Sequence, residues 1–499
     1  CDVAIAGDYR PSTGGIMAAC ARAAADMGFR PRNLGRIPSP AAAAFGIAHG
    51  IPSLMVTGSH IPDDRNGIKF NLPSGEILKE DEAGIRAQHV ALPGGLFADD
   101  GSFAPGAQSA LPEEDPAGLD EYVARYLAFF PPDCLAGMCV GLYEHSSVAR
   151  RAMYEILSGL GARVDRLGFS EVFIPVDTEA IRPEDVALAR EWAGNGGYDA
   201  LVSTDGDGDR PLVSTEKGEW LRGDVAGILC ARQLGAAAVA TPVSCNTAVE
   251  KGGWFQRVLR TRIGSPYVIA GMQALTDAGL SPVVGYEANG GFLTASDIER
   301  DGRVLPALPT RDAVLVAVTI LLAAREQGRP VSGLTEDLPQ RFTASDRIKN
   351  FPTELSRARL SIMSSGDDVR DRAAIDAAFA DAFGPAAEVD TTDGVRITFT
   401  SGDIAHLRPS GNAPELRAYT EAADPDRAEE IRAYGVSDPQ SCPQETRQRL
   451  YAEVDRWRRQ QAQQRLAVLA AKAGAGAPPS DEIDAYAERI EILEPRPGV

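Results

Sequence analysis

Val3-Ala4-Ile5-Ala6-Gly7-Asp8-Tyr9-Arg10 is an apolar run that ends in a glycine and two charges, the pattern of a buried strand leaving a sheet through a tight turn. The alanine-rich stretch behind it predicts a helix from about Gly15 to Met27. The same pattern recurs from Met138 to Val164: an apolar run reaches Gly141-Leu142-Tyr143, a helical stretch follows, and Gly161-Ala162-Arg163 stands where Gly28-Phe29-Arg30 stands in the first copy. Two copies of a strand-to-helix unit predict repeated α/β domains.

Outward from these copies, strand and helix patterns alternate through the first 345 residues, as in Leu201 to Ser203, a helix near Val225 to Leu234, and Ala237 to Ala240. Parallel or mixed sheets with flanking helices follow from that alternation. Residues 92–118 are rich in Gly, Pro, Ala and acidic side chains without periodicity, and are expected to be a linker. Boundaries are expected near Asp133, Leu234 and Ser345. They define domains 1–133, 134–234, 235–345 and 346–424, and a helical extension over 425–499. Within that extension Gln444 to Lys472 reads as a long helix with Leu450, Val454 and Trp457 on one face, a packing appendage or an oligomer contact.

A chain of 499 residues is too long for one core and points to several domains. Its net charge of −20 argues against a nucleic-acid partner, so an anionic substrate needs a locally basic pocket. Seven scattered cysteines fit reduced thiols better than a disulfide framework. The sequence carries no apolar run of about 18 residues, so no membrane span or membrane partner is expected, and with no signal-peptide pattern the expected location is the cytoplasm. Residue 1 is Cys, and the first strand begins almost at once; an N-terminal truncation is expected.

Four loops carry chemistry. Thr57-Gly58-Ser59-His60 follows the strand-like Ser53 to Val56 and continues to Lys69. It offers a nucleophile at a strand end; a turn serine bonded to its own backbone is the alternative. Adjacent in sequence, Ser59 and His60 point apart, which makes His60 a poor triad base. Asp205-Gly206-Asp207-Gly208-Asp209-Arg210 alternates carboxylates with glycines, the donor set for one hard cation. It is not an EF-hand, because Arg210 stands where that loop requires Gly and a strand precedes it. Gly285-Tyr286-Glu287-Ala288-Asn289-Gly290-Gly291 can bracket sugar hydroxyls, or be a plain glycine turn. Arg408-Pro409-Ser410-Gly411-Asn412 contains the parts of a phosphate cradle, or is a Pro-bounded turn with a surface arginine.

In this order the four loops resemble those of the α-D-phosphohexomutase superfamily: a TGSH-type phosphoserine loop, a DGDGDR metal loop, a GExSG-like sugar loop and an RPSG-type phosphate loop. The resemblance covers roughly residues 1–424, takes in Asp177-Thr178-Glu179-Ala180, Arg262-Ile263-Gly264-Ser265-Pro266-Tyr267 and Pro309-Thr310-Arg311-Asp312, and is nearest to the bacterial phosphomannomutase/phosphoglucomutase branch. It implies three related α/β domains and a smaller α+β domain around a central cleft, the last closing over bound sugar. It implies an isomerase that interconverts hexose 6-phosphate and hexose 1-phosphate, of mannose and also glucose, through a phosphoserine and a bisphosphorylated sugar, with Mg²⁺ as cofactor and hexose 1,6-bisphosphate as activator. Partners would be small hexose phosphates, and the protein a monomer or homodimer.

By motif position the resemblance makes Ser59 the phosphoserine and a metal ligand with Asp205, Asp207 and Asp209. His60, Lys69 and Arg210 would lie at the reacting phosphate, Lys69 for proton transfer and Arg210 for charge. Glu287 and Asn289 would face the sugar, and Arg408, Ser410, Gly411 and Asn412 the non-reacting phosphate. Asn412 and Asn289 replace the Thr and Ser of many relatives, and the N-terminal G-[TI]-[SR]-G-x-R-G-like segment of the family is missing. A sugar-phosphate-binding relative without turnover, and a phosphatase with an aspartyl nucleophile in the Asp205 loop, are the rival readings.

Overall fold

The computed structural model describes residues 1–435 apart from 92, 93, 100, 108, 109, 350 and 411–413, together with Arg456 and Gln463. The chain divides into two units, Cys1–Pro339 and Gln340–Val499.

The first unit repeats one sheet design three times. Its opening elements are β1 (Asp2–Gly7), α1 (Thr13–Asp26), β2 (Arg30–Gly35), α2 (Ser39–His49), β3 (Ser53–Val56), β4 (Ile68–Leu72), β5 (Gly75–Glu76), α3 (Lys79–Arg86) and α4 (Ala117–Phe129). The second repeat holds β6 (Cys139–His145), α5 (Arg150–Gly159), β7 (Arg163–Phe169), α6 (Pro183–Gly196), β8 (Ala200–Thr204) and β9 (Pro211–Val213). After α7 (Gly223–Gln233) come β10 (Ala238–Pro242), α8 (Ala248–Lys251), β11 (Arg257–Thr261), α9 (Ser265–Asp277), β12 (Val283–Tyr286) and β13 (Phe292–Thr294).

The sheet orders are β2-β1-β3-β4-β5, β7-β6-β8-β9 and β11-β10-β12-β13. In each, the first three strands pair in parallel and the fourth turns back antiparallel. Strands buried on both faces need continuous apolar runs, which is why Ala4, Ile5 and Ala6, or Ala200, Leu201 and Val202, are fully buried.

A hairpin, β14 (Ile298–Arg300) with β15 (Arg303–Leu305), leads to α10 (Ala313–Gln327) and α11 (Val331–Glu336). Every residue of α10 from Ala313 to Ala324 is buried, so this helix is core on all sides rather than amphipathic. Its core joins side chains from all three repeats, among them Phe45, Ile156 and Tyr286.

The second unit is β16 (Phe342–Ile348), α12 (Thr353–Leu360), α13 (Asp368–Phe383), β17 (Ala386–Asp390), β18 (Val395–Phe399), β19 (Ile404–Pro409), β20 (Leu416–Ala422) and α14 (Pro425–Gly435). Its five strands form one antiparallel sheet, β16-β20-β19-β18-β17, over a core of Ile375, Phe379, Phe399 and Ile431. The boundary expected near Ser345 falls inside β16, whose whole length is paired to β20. That pairing puts the strand in the second unit. Of the expected 92–118 linker, the last two residues already belong to α4. The helix expected over Gln444 to Lys472 lies outside the described residues, Arg456 and Gln463 apart.

Candidate functional site

Three of the four loops sit in one topological place. The Ser59 loop joins β3 to β4, the Asp205 loop joins β8 to β9, and the Glu287 loop joins β12 to β13. Each leaves the carboxyl end of its sheet's third parallel strand, where α/β sheets present ligand sites.

Ser59 adopts φ 54°, the left-handed region that a non-glycine residue occupies only when its surroundings impose it. The surroundings do. Thr57 Oγ1 accepts from Ser59 N at 2.7 Å and donates to Asp8 Oδ2 at 2.8 Å. Arg10, fully buried, reaches across from the end of β1 and donates to four loop carbonyls: Ser59 (2.8 Å), Ile61 (2.6 Å), Pro62 (2.5 Å) and Arg65 (3.0 Å). Its charge is met by Asp8 at 3.0 Å, and its guanidinium lies 4.2 Å from the Phe173 ring centroid. A Cβ on Gly58 would stand 2.8 Å from Arg10 Cζ, so glycine is required where the arginine passes under the loop.

Held this way, Ser59 Oγ donates to Asp205 Oδ2 at 2.6 Å rather than to its own backbone. The Asp205 loop closes on itself: Asp205 Oδ1 accepts from the backbone N–H of Asp209 and Arg210, both at 3.2 Å. One oxygen from each of Asp205, Asp207 and Asp209 falls within 4.8 Å of the others, and all three residues are buried. Lys69 Nζ, on β4, bridges Asp207 Oδ2 and Asp209 Oδ2 at 2.6 Å each. Ser39, the first residue of α2, donates its N–H to the Asp207 carbonyl (2.8 Å) and its hydroxyl to Asp207 Oδ2. The positive end of that helix thus faces an aspartate.

These residues fit a divalent cation. Asp207 Oδ1 and Asp209 Oδ1 are buried and accept no hydrogen bond among the described residues, an arrangement that costs free energy unless a cation completes it. Burial and the two neighbouring aspartates push the Asp205 carboxyl well above the usual carboxylate range. Burial opposes charge on Lys69 as well, but Asp207 and Asp209 outweigh it and hold the ammonium above its ordinary pKa.

Arg210 Nη1 donates to His60 Nδ1 at 2.9 Å. Burial and the Arg210 charge push the imidazole down to about 4. His60 is therefore neutral at pH 7 with its Nδ1 lone pair already taken, and it stands 3.5 Å from Ser59 Oγ. It is no base for Ser59, although the two side chains do not point apart as the sequence predicts but approach to 3.5 Å.

In the sugar loop, Asn289 Oδ1 accepts from Gly291 N at 2.9 Å and the Asn289 carbonyl accepts from Thr178 Oγ1 at 2.7 Å. Glu287 is buried and paired to Arg311, which also reaches Asp209. The structure thus brings Ser59, His60, Lys69, Arg210 and the three aspartates together, with Glu287 joined to them through Arg311. In the second unit, Arg408 lies on β19 and Ser410 directly after it, Arg408 paired to Asp393 at 3.0 Å and Ser410 N donating to the Glu415 carbonyl. Gly411 and Asn412 lie outside the described residues. Sequence reading missed Arg10, Ser39 and Arg311 as members of the site, although Arg10 and Arg311 stand in quoted motifs.

Family models of phosphoglucomutase/phosphomannomutase match the chain at three places: alpha/beta/alpha domain I over residues 1–91, alpha/beta/alpha domain III over 222–342 and the C-terminal domain over 363–434. A phosphomannomutase of Sinorhizobium fredii is 44% identical over 87% of this chain and 89% of its own length. One of Salmonella muenchen is 43% identical over 84% of each chain. The crystal structure of a phosphoglucomutase/phosphomannomutase family protein from Burkholderia thailandensis superposes with a TM-score of 0.64 at 20% identity, covering 86% of this chain and 87% of that one, and shares its fold.

Proposed function

The chain belongs to the phosphoglucomutase/phosphomannomutase family and is a hexose phosphate mutase, and from that premise we propose that Ser59 carries the phosphoryl group and that the Asp205 loop holds Mg²⁺. The observation that carries the assignment is the 2.6 Å hydrogen bond from Ser59 Oγ to Asp205 Oδ2 within a buried triad of aspartates.

Asp205, Asp207 and Asp209 hold the cation, with an oxygen on phosphorylated Ser59 as a further ligand; Mg²⁺ supplies charge neutralisation at the phosphoryl group. Arg210 contributes fixed positive charge. Lys69, kept as an ammonium by two aspartates, is the proton carrier: it gives a proton to Ser59 Oγ as the phosphoryl group leaves and takes the one released by the attacking hydroxyl. His60 acts as a neutral side chain that orients Arg210 beside the serine. The phosphoryl group passes from Ser59 to the free hydroxyl of a hexose 1- or 6-phosphate, the bisphosphate turns over, and the other phosphate returns to Ser59. A hexose 1,6-bisphosphate is therefore the activator that loads the serine.

Glu287 and Asn289 face the sugar hydroxyls. Arg408, Ser410, Gly411 and Asn412 are assigned to the non-reacting phosphate by their match to the family motif. Each sheet repeat and the second unit serves as one domain with one loop, the last boundary lying at Gln340. Mannose phosphates are the substrate we favour, with glucose phosphates as co-substrates. The partners are these small molecules, and the working compartment is the cytoplasm.

Intact-mass and peptide mass spectrometry, before and after incubation with a hexose 1,6-bisphosphate and Mg²⁺, together with a coupled mannose 1-phosphate assay, test the assignment. A phosphate on Ser59, and no turnover in Ser59→Ala, are expected. An unmodified Ser59 in an active enzyme overturns it.

A further inference from the structure

Pro309-Thr310-Arg311-Asp312 is given no role in the proposed reaction above, yet it sets a guanidinium between two of the loops. Arg311 Nη2 lies 2.8 Å from Asp209 Oδ2 and Nη1 3.4 Å from Glu287 Oε2. All three side chains are largely buried, so these are ion pairs screened little by water. Both neighbours of Arg311 are tied down. Thr310 Oγ1 donates to Glu76 Oε1 at 2.6 Å, and Glu76 Oε2 accepts from Ser265 Oγ at 2.7 Å. Asp312 accepts the hydroxyls of Tyr122 and Tyr126 and caps α10 by accepting from Val314 N and Leu315 N.

The backbone beneath the guanidinium is thus pinned from two sides, and the side-chain stem is seated on the sugar loop. A Cβ on Gly291 would stand 2.4 Å from Arg311 Cδ and 2.6 Å from Cγ. Gly291 leaves the space that the arginine stem fills.

We propose that Arg311 is a positioning residue for the mutase reaction, fixing the carboxylates of the metal loop and the sugar loop through one guanidinium. By taking Asp209 Oδ2 alongside Lys69, it turns Asp209 Oδ1 toward the cation site, which explains why that oxygen is buried yet accepts no hydrogen bond among the described residues. By pairing with Glu287 Oε2 it sets the rotation of the carboxylate that meets the sugar. Arg311 Nε is likewise buried without a hydrogen-bond partner among the described residues. The inference rests on the Asp205 loop being the metal site.

The test uses the full-length protein. Mn²⁺ affinity is measured without sugar by titration calorimetry, and KM for mannose 1-phosphate at saturating Mg²⁺, in Arg311→Gln, Glu287→Gln, the double variant and Gly291→Ala. Arg311→Gln is expected to weaken Mn²⁺ about tenfold, as loss of a group that orients a metal ligand does, and to raise KM several-fold. In the Glu287→Gln background its effect on KM disappears while its effect on Mn²⁺ remains. Gly291→Ala, whose methyl displaces the stem, reproduces both effects with the arginine still present. Unchanged or tighter Mn²⁺ binding in Arg311→Gln, or KM effects that multiply in the double variant, overturns the proposal alone. A wild-type protein that binds no Mn²⁺ overturns it together with the metal-loop assignment.

Discussion

Replacing Arg10 by Met removes a cation whose partners make its effect calculable. Arg10 and Asp8 both have fully buried side chains, so the variant strands a carboxylate away from water. Stranding one member of a buried pair costs about 3–5 kcal/mol. Asp8 keeps its bonds from Thr13 Oγ1 (2.7 Å), Thr57 Oγ1 (2.8 Å) and the residue 10 N–H (3.1 Å), which favours the lower end, about 3 kcal/mol. At roughly 2 °C per kcal/mol for a unit of this size, the thermal midpoint should fall by about 6 °C.

Catalysis has a separate magnitude. The left-handed conformation of Ser59 costs about 1–2 kcal/mol against ordinary backbone, and four of the hydrogen bonds that impose it come from Arg10. Without them the loop relaxes by about that amount, and kcat should drop roughly 5- to 30-fold with little change in KM. Scanning calorimetry and the coupled mutase assay measure the two effects independently. Asp8→Asn/Arg10→Met, which removes both charges, should regain much of the stability but not the rate, because the loop carbonyls still lack their donor. Arg10→Met within about 1 kcal/mol of wild type and with unchanged kcat would refute the reasoning.

Lys69→Met leaves Asp207 and Asp209 without their bridging ammonium, so the metal-free variant should lose about 3 kcal/mol or more; saturating Mg²⁺ should raise its thermal midpoint further than that of wild type, read by differential scanning fluorimetry, while turnover falls about a hundredfold. Chelation with EDTA should abolish turnover and lower the thermal midpoint of wild type, both restored by excess Mg²⁺, since Asp207 Oδ1 and Asp209 Oδ1 are then left buried with no hydrogen-bond donor among the described residues. In the second unit, burial pushes His406 down to about 4 from an ordinary value near 6.5, its ring stacked on Tyr419 and bonded to the Asp393 carbonyl. The unfolded chain then binds the extra proton first, so His406 contributes stability that is fully present above about pH 6.5 and lost as pH falls toward 4, about 3 kcal/mol in all; denaturant unfolding of His406→Gln should show a correspondingly flatter pH dependence across that window.

What the sequence could disclose follows from how each feature is built. The Ser59, Asp205 and Glu287 loops are legible because each is one continuous string between the third and fourth strands of a sheet, with its chemistry and its glycines within a few residues. β1, β3 and β8 are legible because strands buried on both faces read as unbroken apolar runs. Sequence pattern alone shows only two copies of the repeat, and the third was expected from the family resemblance, because its first crossover helix, α8, has only four residues, too few for any periodicity. α10 escaped for the opposite reason: apolar on every side, it has no amphipathic pattern to detect.

The site residues that were missed share one property: their targets lie far along the chain. Arg10 binds carbonyls 49 to 55 residues away, and Ser39 meets Asp207 across 168 residues. No local pattern encodes such a pairing. The threefold repeat explains why three loops from distant parts of the sequence emerge at equivalent sheet positions, but equivalence alone supplies no chemistry. What differs among the repeats does: a serine held in the left-handed region, a triad of aspartates and a glutamate. The residues that join them, Arg10, Ser39, Lys69 and Arg311, lie outside the short motifs they serve. The place of the site is thus a property of the repeated fold, whereas its precision depends on the unrepeated contacts between loops, and substitutions at those contacts should lower rate and metal affinity more than they disturb the sheets.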